Sequence, residues 1–202
     1  IADEYRRLIG SLASGVVQRR EDRNVYLDIG RTLGLLPALE QSPLDTYSVG
    51  RRFKILILAI EETSRGPMII LSRSHPKFLE KLFELEVPEI SAGSVLVKGV
   101  SREAGSRSKI AVSSKQVGVD PIGSLVGQKG IRVQTVINEL SGEKIDIIEW
   151  SSDSAKFIAN AMSPAKVSDV RILDPNRKYA LVEVVEDQFS LAIGKHGQNV
   201  RL

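Results

Sequence analysis

The sequence predicts a multidomain chain: an all-β barrel, then two α+β modules of one plan, the second incomplete at its C-terminus. Three observations carry this reading. Five short strand patterns with turn signals between them crowd into residues 9–73. After them the order helix, strand, strand, helix, glycine loop, helix, strand is written once in full and then begun again. The two loops read alike and lie 67 residues apart: Val126-Gly127-Gln128-Lys129-Gly130-Ile131-Arg132-Val133, then Ile193-Gly194-Lys195-His196-Gly197-Gln198-Asn199-Val200.

Residues 1–8 read as a helical or linking tail. Ser14 to Gln18 is the first strand, closed by the charged turn Arg19 to Asn24. Val25 to Gly30 returns with period-two alternation, and Leu33 to Pro37 is a short strand stopped by proline. Gly50 to Ile60 is a long strand, Arg65-Gly66-Pro67 a turn, and Met68 to Arg73 the fifth strand. The first α+β module, residues 74–150, opens with a helix from Pro76 to Glu86. Phe78, Leu79, Leu82 and Phe83 recur there at helical spacing, and proline suits the first turn. Strands at Gly93–Val100 and Lys109–Ser113 flank a Gly/Ser-rich basic hairpin, Arg102 to Ser108. Asp120-Pro121 opens a short helix, with Asp as cap and Pro in the first turn. The loop Gly127 to Gly130 follows, then a helix to Leu140 and a strand at Lys144–Ile148. The second module, residues 151–202, repeats the order: helix Asp153–Met162, strands Val167–Leu173 and Tyr179–Val185, helix Gln188–Ile193, then the second loop. On this plan it lacks most of its last helix and its final strand.

Composition narrows the function. At 42% hydrophobic the chain can bury real cores, but with 5% aromatics those cores must be built from Val, Ile, Leu and Ala. The absence of Cys removes disulfides, cysteine nucleophiles and thiolate metal sites. His75 and His196 are the only histidines, too few for a three-ligand metal site without Cys. We expect no metal, no cofactor and no enzyme. The longest apolar run, Ile55 to Ile60, is far short of the ~18 residues that span a bilayer. The expectation is a soluble, intracellular monomer with no membrane partner. Net charge is only +3, yet Lys98 to Arg132 holds seven cations against two anions. A face meant for a polyanion and a solvated mixed surface both fit that pattern.

The loops carry the chemistry. A phosphate needs donors and positive charge at close range, and the start of a helix supplies free N–H groups and the positive end of a dipole. Gly127, Gly130, Gly194 and Gly197 let backbone approach without a Cβ. Gln128, Lys129, Lys195 and His196 fill the middle positions, His196 being able to carry charge near neutral pH. Arg132 and Arg201 stand on the helices that follow. Ile131, Val133, Gln198, Asn199 and Val200 border a groove fit for bases. Arg102, Arg107 and Lys109 of the basic stretch join them as candidates for RNA contact. A GXXG loop clamping a nucleic-acid backbone is the signature of the KH module, which takes about four nucleotides of single strand. A phosphate-loop NTPase is a poor fit, because neither Gly-x4-Gly-Lys-Ser/Thr nor a strand leading into the loop is present. In the barrel, Tyr26, Tyr47 and Phe53 suit either base stacking or the core.

Six stretches resemble the NusA family of bacterial transcription elongation, termination and antitermination factors: Leu71 to Arg73, Leu82 to Ile90, Val100 to Val112, Asp120 to Gly123, Gly142 to Ile148, and Ala192 to Leu202. The resemblance covers nearly the whole chain. It implies an S1-type OB-fold barrel and two type II KH domains packed into one extended RNA-binding surface. It implies binding of nascent single-stranded RNA while attached to RNA polymerase, and so modulation of pausing, termination and antitermination in the cytoplasm. In the family the polymerase-binding domain lies N-terminal to the barrel, and residues 1–8 would link to it. Other transcription elongation factors are further implied partners. A phosphorolytic exoribonuclease fragment also joins KH and S1-type modules, but with one KH, placed before the barrel. A ribosome-associated protein is the remaining alternative.

Overall fold

The computed structural model describes all residues, 1–202. Helix α1 (Ala2–Arg6) leads into strands β1 (Leu12–Glu21), β2 (Asn24–Asp28), β3 (Leu33–Leu36), β4 (Arg52–Thr63) and β5 (Gly66–Ser72). They close into a barrel in the order β1-β2-β3-β5-β4, with β3 and β5 parallel. Alternation along β4 sorts its side chains. Phe53, Ile55 and Ile57 fill the barrel, while Leu56 points outward into the neighbouring module's core. Each such fully buried aliphatic contributes roughly 1.5–3 kcal/mol relative to exposure. Gly34 is required by packing, since a Cβ there would lie 2.6 Å from Leu71 Cδ1. The tail at 1–8 is not free: Tyr5 enters the barrel core and its hydroxyl donates to Ile29 O at 3.2 Å. Tyr47 and Phe53 also lie in that core, whereas Tyr26 is half-buried beneath the Arg19 guanidinium.

The next module comprises α2 (Pro76–Glu86), α3 (Pro88–Ser91), β6 (Val95–Glu103), β7 (Arg107–Ser114), α4 (Pro121–Val126), α5 (Ile131–Glu139) and β8 (Lys144–Glu149). Its sheet runs β6-β7-β8, antiparallel then parallel, so α4, the loop and α5 form the crossover from β7 to β8. Phe78, Leu79, Leu82 and Phe83 of α2 pack with Val95, Ile110, Val112, Leu125, Val136 and Leu140. His75 Nδ1 caps α2 by accepting from Lys77 N, and Asp120 caps α4 by accepting from Ile122 N. Pro88, just after α2, opens a further short helix, α3, consistent with proline's fit to a first helical position.

The last module has α6 (Ser154–Ala161), the antiparallel pair β9 (Asp169–Asp174) and β10 (Tyr179–Glu183), α7 (Phe189–Ile193) and α8 (Gln198–Arg201). Its apolar side chains Leu173, Tyr179, Val185 and Phe189 are exposed. No helix of the chain is long and apolar enough to cross a membrane.

Polar junctions join the parts. Arg73, at the end of the barrel, is buried and donates to Asp45, to Lys54 O, and to both the side chain and the carbonyl of Glu139 on α5. Its guanidinium lies 4.8 Å from the Phe53 ring centroid and 5.2 Å from that of Phe78. Between the two α+β modules, Glu103 accepts from Gln198 and Arg201, and Lys109 Nζ donates to Ala161 O and Ser163 O.

Candidate nucleic-acid interface

Both glycine loops connect two helices, and their backbones superimpose in dihedral space. Gly127 ends α4 at φ 75, ψ 173, and Gly194 ends α7 at φ 78, ψ 166. That region is essentially confined to glycine. Gln128–Gly130 and Lys195–Gly197 each form a single 3-10 turn. Lys129 (φ 56, ψ 24) and His196 (φ 55, ψ 28) are left-handed, as are Gly130 (φ 74, ψ 15) and Gly197 (φ 73, ψ 15). The bonds repeat as well. Gly130 N donates to Gly127 O at 3.1 Å, and Gly197 N donates to Gly194 O at 3.0 Å. A left-handed non-glycine residue costs roughly 1–2 kcal/mol, and here it sits in the same place twice.

The two glycines of each loop differ in surroundings. A Cβ on Gly130 would meet nothing within 4 Å, and on Gly197 only Arg201 Nη1 at 3.9 Å. The second glycines therefore face open space where a ligand could approach. Gln128, Lys129, Lys195 and His196 are exposed, and neither lysine has an ion-pair or hydrogen-bond partner. No side chain caps α5, and the Ile131 N–H donates to Gln128 O within the 3-10 turn. Ile131 is exposed next to the first loop and Val200 next to the second, while Val133 packs against the core of its module.

Three expected contacts are corrected by burial. The Arg102 side chain is fully buried, donating to Glu143 from Nε and Nη2 at 3.0 Å, and cannot meet a ligand on the surface. Lys109 is 5% exposed, with its ammonium spent on the carbonyls of Ala161 and Ser163. Burial lowers its pKa, the Arg107 charge adds to this, and Asp146 opposes it. Asn199 is 2% exposed and donates to Met162 O and Ala192 O, each at 3.0 Å. The reason is common to all three: long-range packing brought an acceptor to each donor. Arg107, Arg132, Gln198 and Arg201 remain accessible but are engaged, with Asp146, Glu89, Glu103 and Glu103 respectively.

A groove of about 860 Å³ runs between the modules beside the second loop. Arg107, Lys144 and Lys195 line it, with Asp146 and Asp187 opposite in charge. Lys144 was not singled out from the sequence. Parallel pairing sets it directly opposite Arg107 across β7 and β8, and no local pattern announces such a register. The groove beside the first loop carries Glu89 and Asp120 and is the less hospitable to phosphate.

Residues 73–150 match the sequence model of the NusA-like first KH domain, and residues 154–202 that of the NusA-like second KH domain. Curated relatives called transcription termination/antitermination protein NusA are similar along nearly the whole chain. That of Halalkalibacterium halodurans is 51% identical over 95% of this chain and 50% of its own length. That of Bacillus subtilis is 51% identical over 95% and 51%, and that of Thermus thermophilus 48% identical over 100% and 52%. The chain thus spans about half the length of these relatives.

Proposed function

The chain belongs to the NusA family, and on that premise we propose that it is the RNA-binding part of a transcription factor. In this reading residues 9–73 are an S1-type OB-fold domain and residues 1–8 the segment leading to it. Residues 74–150 and 151–202 are type II KH domains. The two loops clamp the backbone of nascent single-stranded RNA, and the whole protein thereby modulates RNA polymerase pausing, termination and antitermination in the cytoplasm. Contact with the polymerase and with other elongation factors rests on the family alone and is assigned to no residue here. We propose no catalytic activity and a monomeric chain.

The observation that carries the reading is the repeated loop: the same backbone at both sites, an open second glycine, and an exposed lysine with no partner. Backbone N–H groups and a single point charge recognise a phosphate without reading a base. The proposed contacts are accordingly Gly127 to Gly130 and Gly194 to Gly197, with Ile131, Arg107 and Arg201 beside them. Titration of a fluorescent single-stranded RNA tests this. Gln128→Asp/Lys129→Asp and Lys195→Asp/His196→Asp are each expected to weaken binding by about tenfold or more, equivalent to ~1.4 kcal/mol. Unchanged affinity in both variants overturns the clamp.

A further inference from the structure

Five positions after the first glycine of each loop stand Arg132 and Asn199, different residues making the same connection. Each folds back over that glycine. A Cβ on Gly127 would lie 2.6 Å from Arg132 Cγ, and one on Gly194 would lie 2.7 Å from Asn199 Cβ. Each then donates to a carbonyl of the helix before the loop. Arg132 Nη1 reaches Ser124 O at 2.7 Å, and Asn199 Nδ2 reaches Ala192 O at 3.0 Å. Each also reaches a third segment, close behind the first helix of its own module. Arg132 binds Glu89 at 2.9 Å and Asn199 binds Met162 O at 3.0 Å. The glycine's missing side chain is the gap through which this tie passes.

We propose that Arg132 and Asn199 are positioning residues, each tying the helix before its loop to the helix after it and so holding the loop backbone in its ligand-ready shape without touching the ligand. Two unlike side chains converging on one bonding pattern argue for the tie itself rather than for charge. Arg132 is in any case neutralised by Glu89, whose own carboxyl is held below the usual range by hydrogen bonds, one of them from Arg132. The linkage also explains how Lys129 and His196 can be kept left-handed. Strained positions persist where surrounding bonds over-determine them.

The proposal rests on the phosphate-clamp reading, and salt dependence separates the two. The logarithm of affinity falls with the logarithm of salt with a slope of about 0.7 per single-strand phosphate neutralised. Arg132→Ala, Asn199→Leu and Asn199→Ala are titrated with a fluorescent oligouridylate at several salt concentrations. The measurements are made at 20 °C on protein shown by circular dichroism to be folded. Each variant is expected to lose about tenfold in affinity with the slope unchanged. The amide resonances of Gln128–Gly130 or Lys195–Gly197 are expected to shift, and Arg132→Lys, which keeps reach and a donor, to recover most of the loss. Lys129→Ala, a direct contact on the clamp reading, is expected to lower the slope. If Arg132→Ala lowers the slope as well, Arg132 touches phosphate and the proposal is overturned. If the tie variants lower only the melting temperature and leave affinity intact, the tie is an ordinary brace and the proposal is again overturned. If Lys129→Ala and Lys195→Ala change neither affinity nor slope, the clamp reading fails and the proposal falls with it.

Discussion

Arg102 and Lys129 are both cations of one basic stretch, and their fates are opposite. The Arg102 side chain lies against that of Glu143, each 0% exposed, and Glu143 also accepts from Gly105 N at 2.7 Å and Ser108 Oγ at 2.9 Å. Replacing one partner of such a pair strands the other's charge in a low-dielectric interior, a cost of about 3–5 kcal/mol. Arg102→Ala is therefore expected to lower unfolding free energy by that amount in a denaturant titration. The affinity of the folded fraction for single-stranded RNA should stay within about twofold of the wild type, because no ligand reaches residue 102. A large loss of affinity at unchanged stability would restore Arg102 to the interface. Lys129 is exposed with no such partner, and its removal is expected to act on binding alone. Charge and neighbours along the chain cannot distinguish the two. The distinguishing acceptor, Glu143, lies 41 residues away.

At the scale of elements, helices α4 and α6 start for local reasons and could be read locally. Asp120 caps α4, accepting from Ile122 N at 3.1 Å, and Pro121 occupies the first turn. Asp153 does the same for α6, accepting from Ala155 N at 3.1 Å. Loss of such a cap costs about 1 kcal/mol. Asp120→Ala and Asp153→Ala are each expected to show that loss in thermal or chemical unfolding, and no change would mean that tertiary packing alone holds these helix starts. The helix the sequence does not announce is α3, and the tail at residues 1–8 was legible only as helical or linking. Helices α1 and α3 span five and four residues, too few for periodicity to appear, and both exist because the rest of the molecule holds them. In α1 the anchor is Tyr5, seated in a barrel core formed by strands far along the chain. Strand ends also differ from the local pattern. β1 extends past the expected segment by pairing with β4 at its start and with β2 at its end, and β4 extends at its end by pairing with β5.

At the scale of the molecule, polar and charged junctions join the parts that carry the two loops. Arg73 ties the barrel to α5, the helix that leaves the first loop. Burial pushes Asp45 up, but the hydrogen bonds and charge of Arg73, with Ser141 and Tyr47, prevail and keep its carboxyl below the ordinary value. Arg73→Ala is expected to cost about 3–5 kcal/mol and to separate the unfolding of barrel and first module. A single, unshifted transition would show that the apolar contact through Leu56 suffices. The second junction is at the surface. The hydrogen bond from Arg201, then that from Gln198, hold the Glu103 carboxyl down at about 2. Because its folded value is depressed, this contact is fully present above the ordinary carboxylate range and is lost as pH falls toward about 2. A carbon-13 titration of Glu103 is expected to give a midpoint near that value. In Arg201→Ala/Gln198→Ala it should move back up toward the ordinary range. A midpoint unmoved by that double substitution would remove the junction.

What the sequence by itself determined is whatever depends on neighbours along the chain. That includes strand alternation, the capped helices, the repeated module order, and above all the places of the two loops, marked by glycines with access to positive φ. Only the tertiary structure decided which cations are free. The Arg102 and Lys109 cations, like the Asn199 amide, were drawn inside by acceptors distant in sequence, while Lys129 and Lys195 were left open and Lys144 was set beside Arg107. The physical reason is that a charge is available to a ligand only when no nearer opposite charge or carbonyl has claimed it. Such claims are made across the fold, by residues dozens of positions apart, where composition and spacing carry no signal.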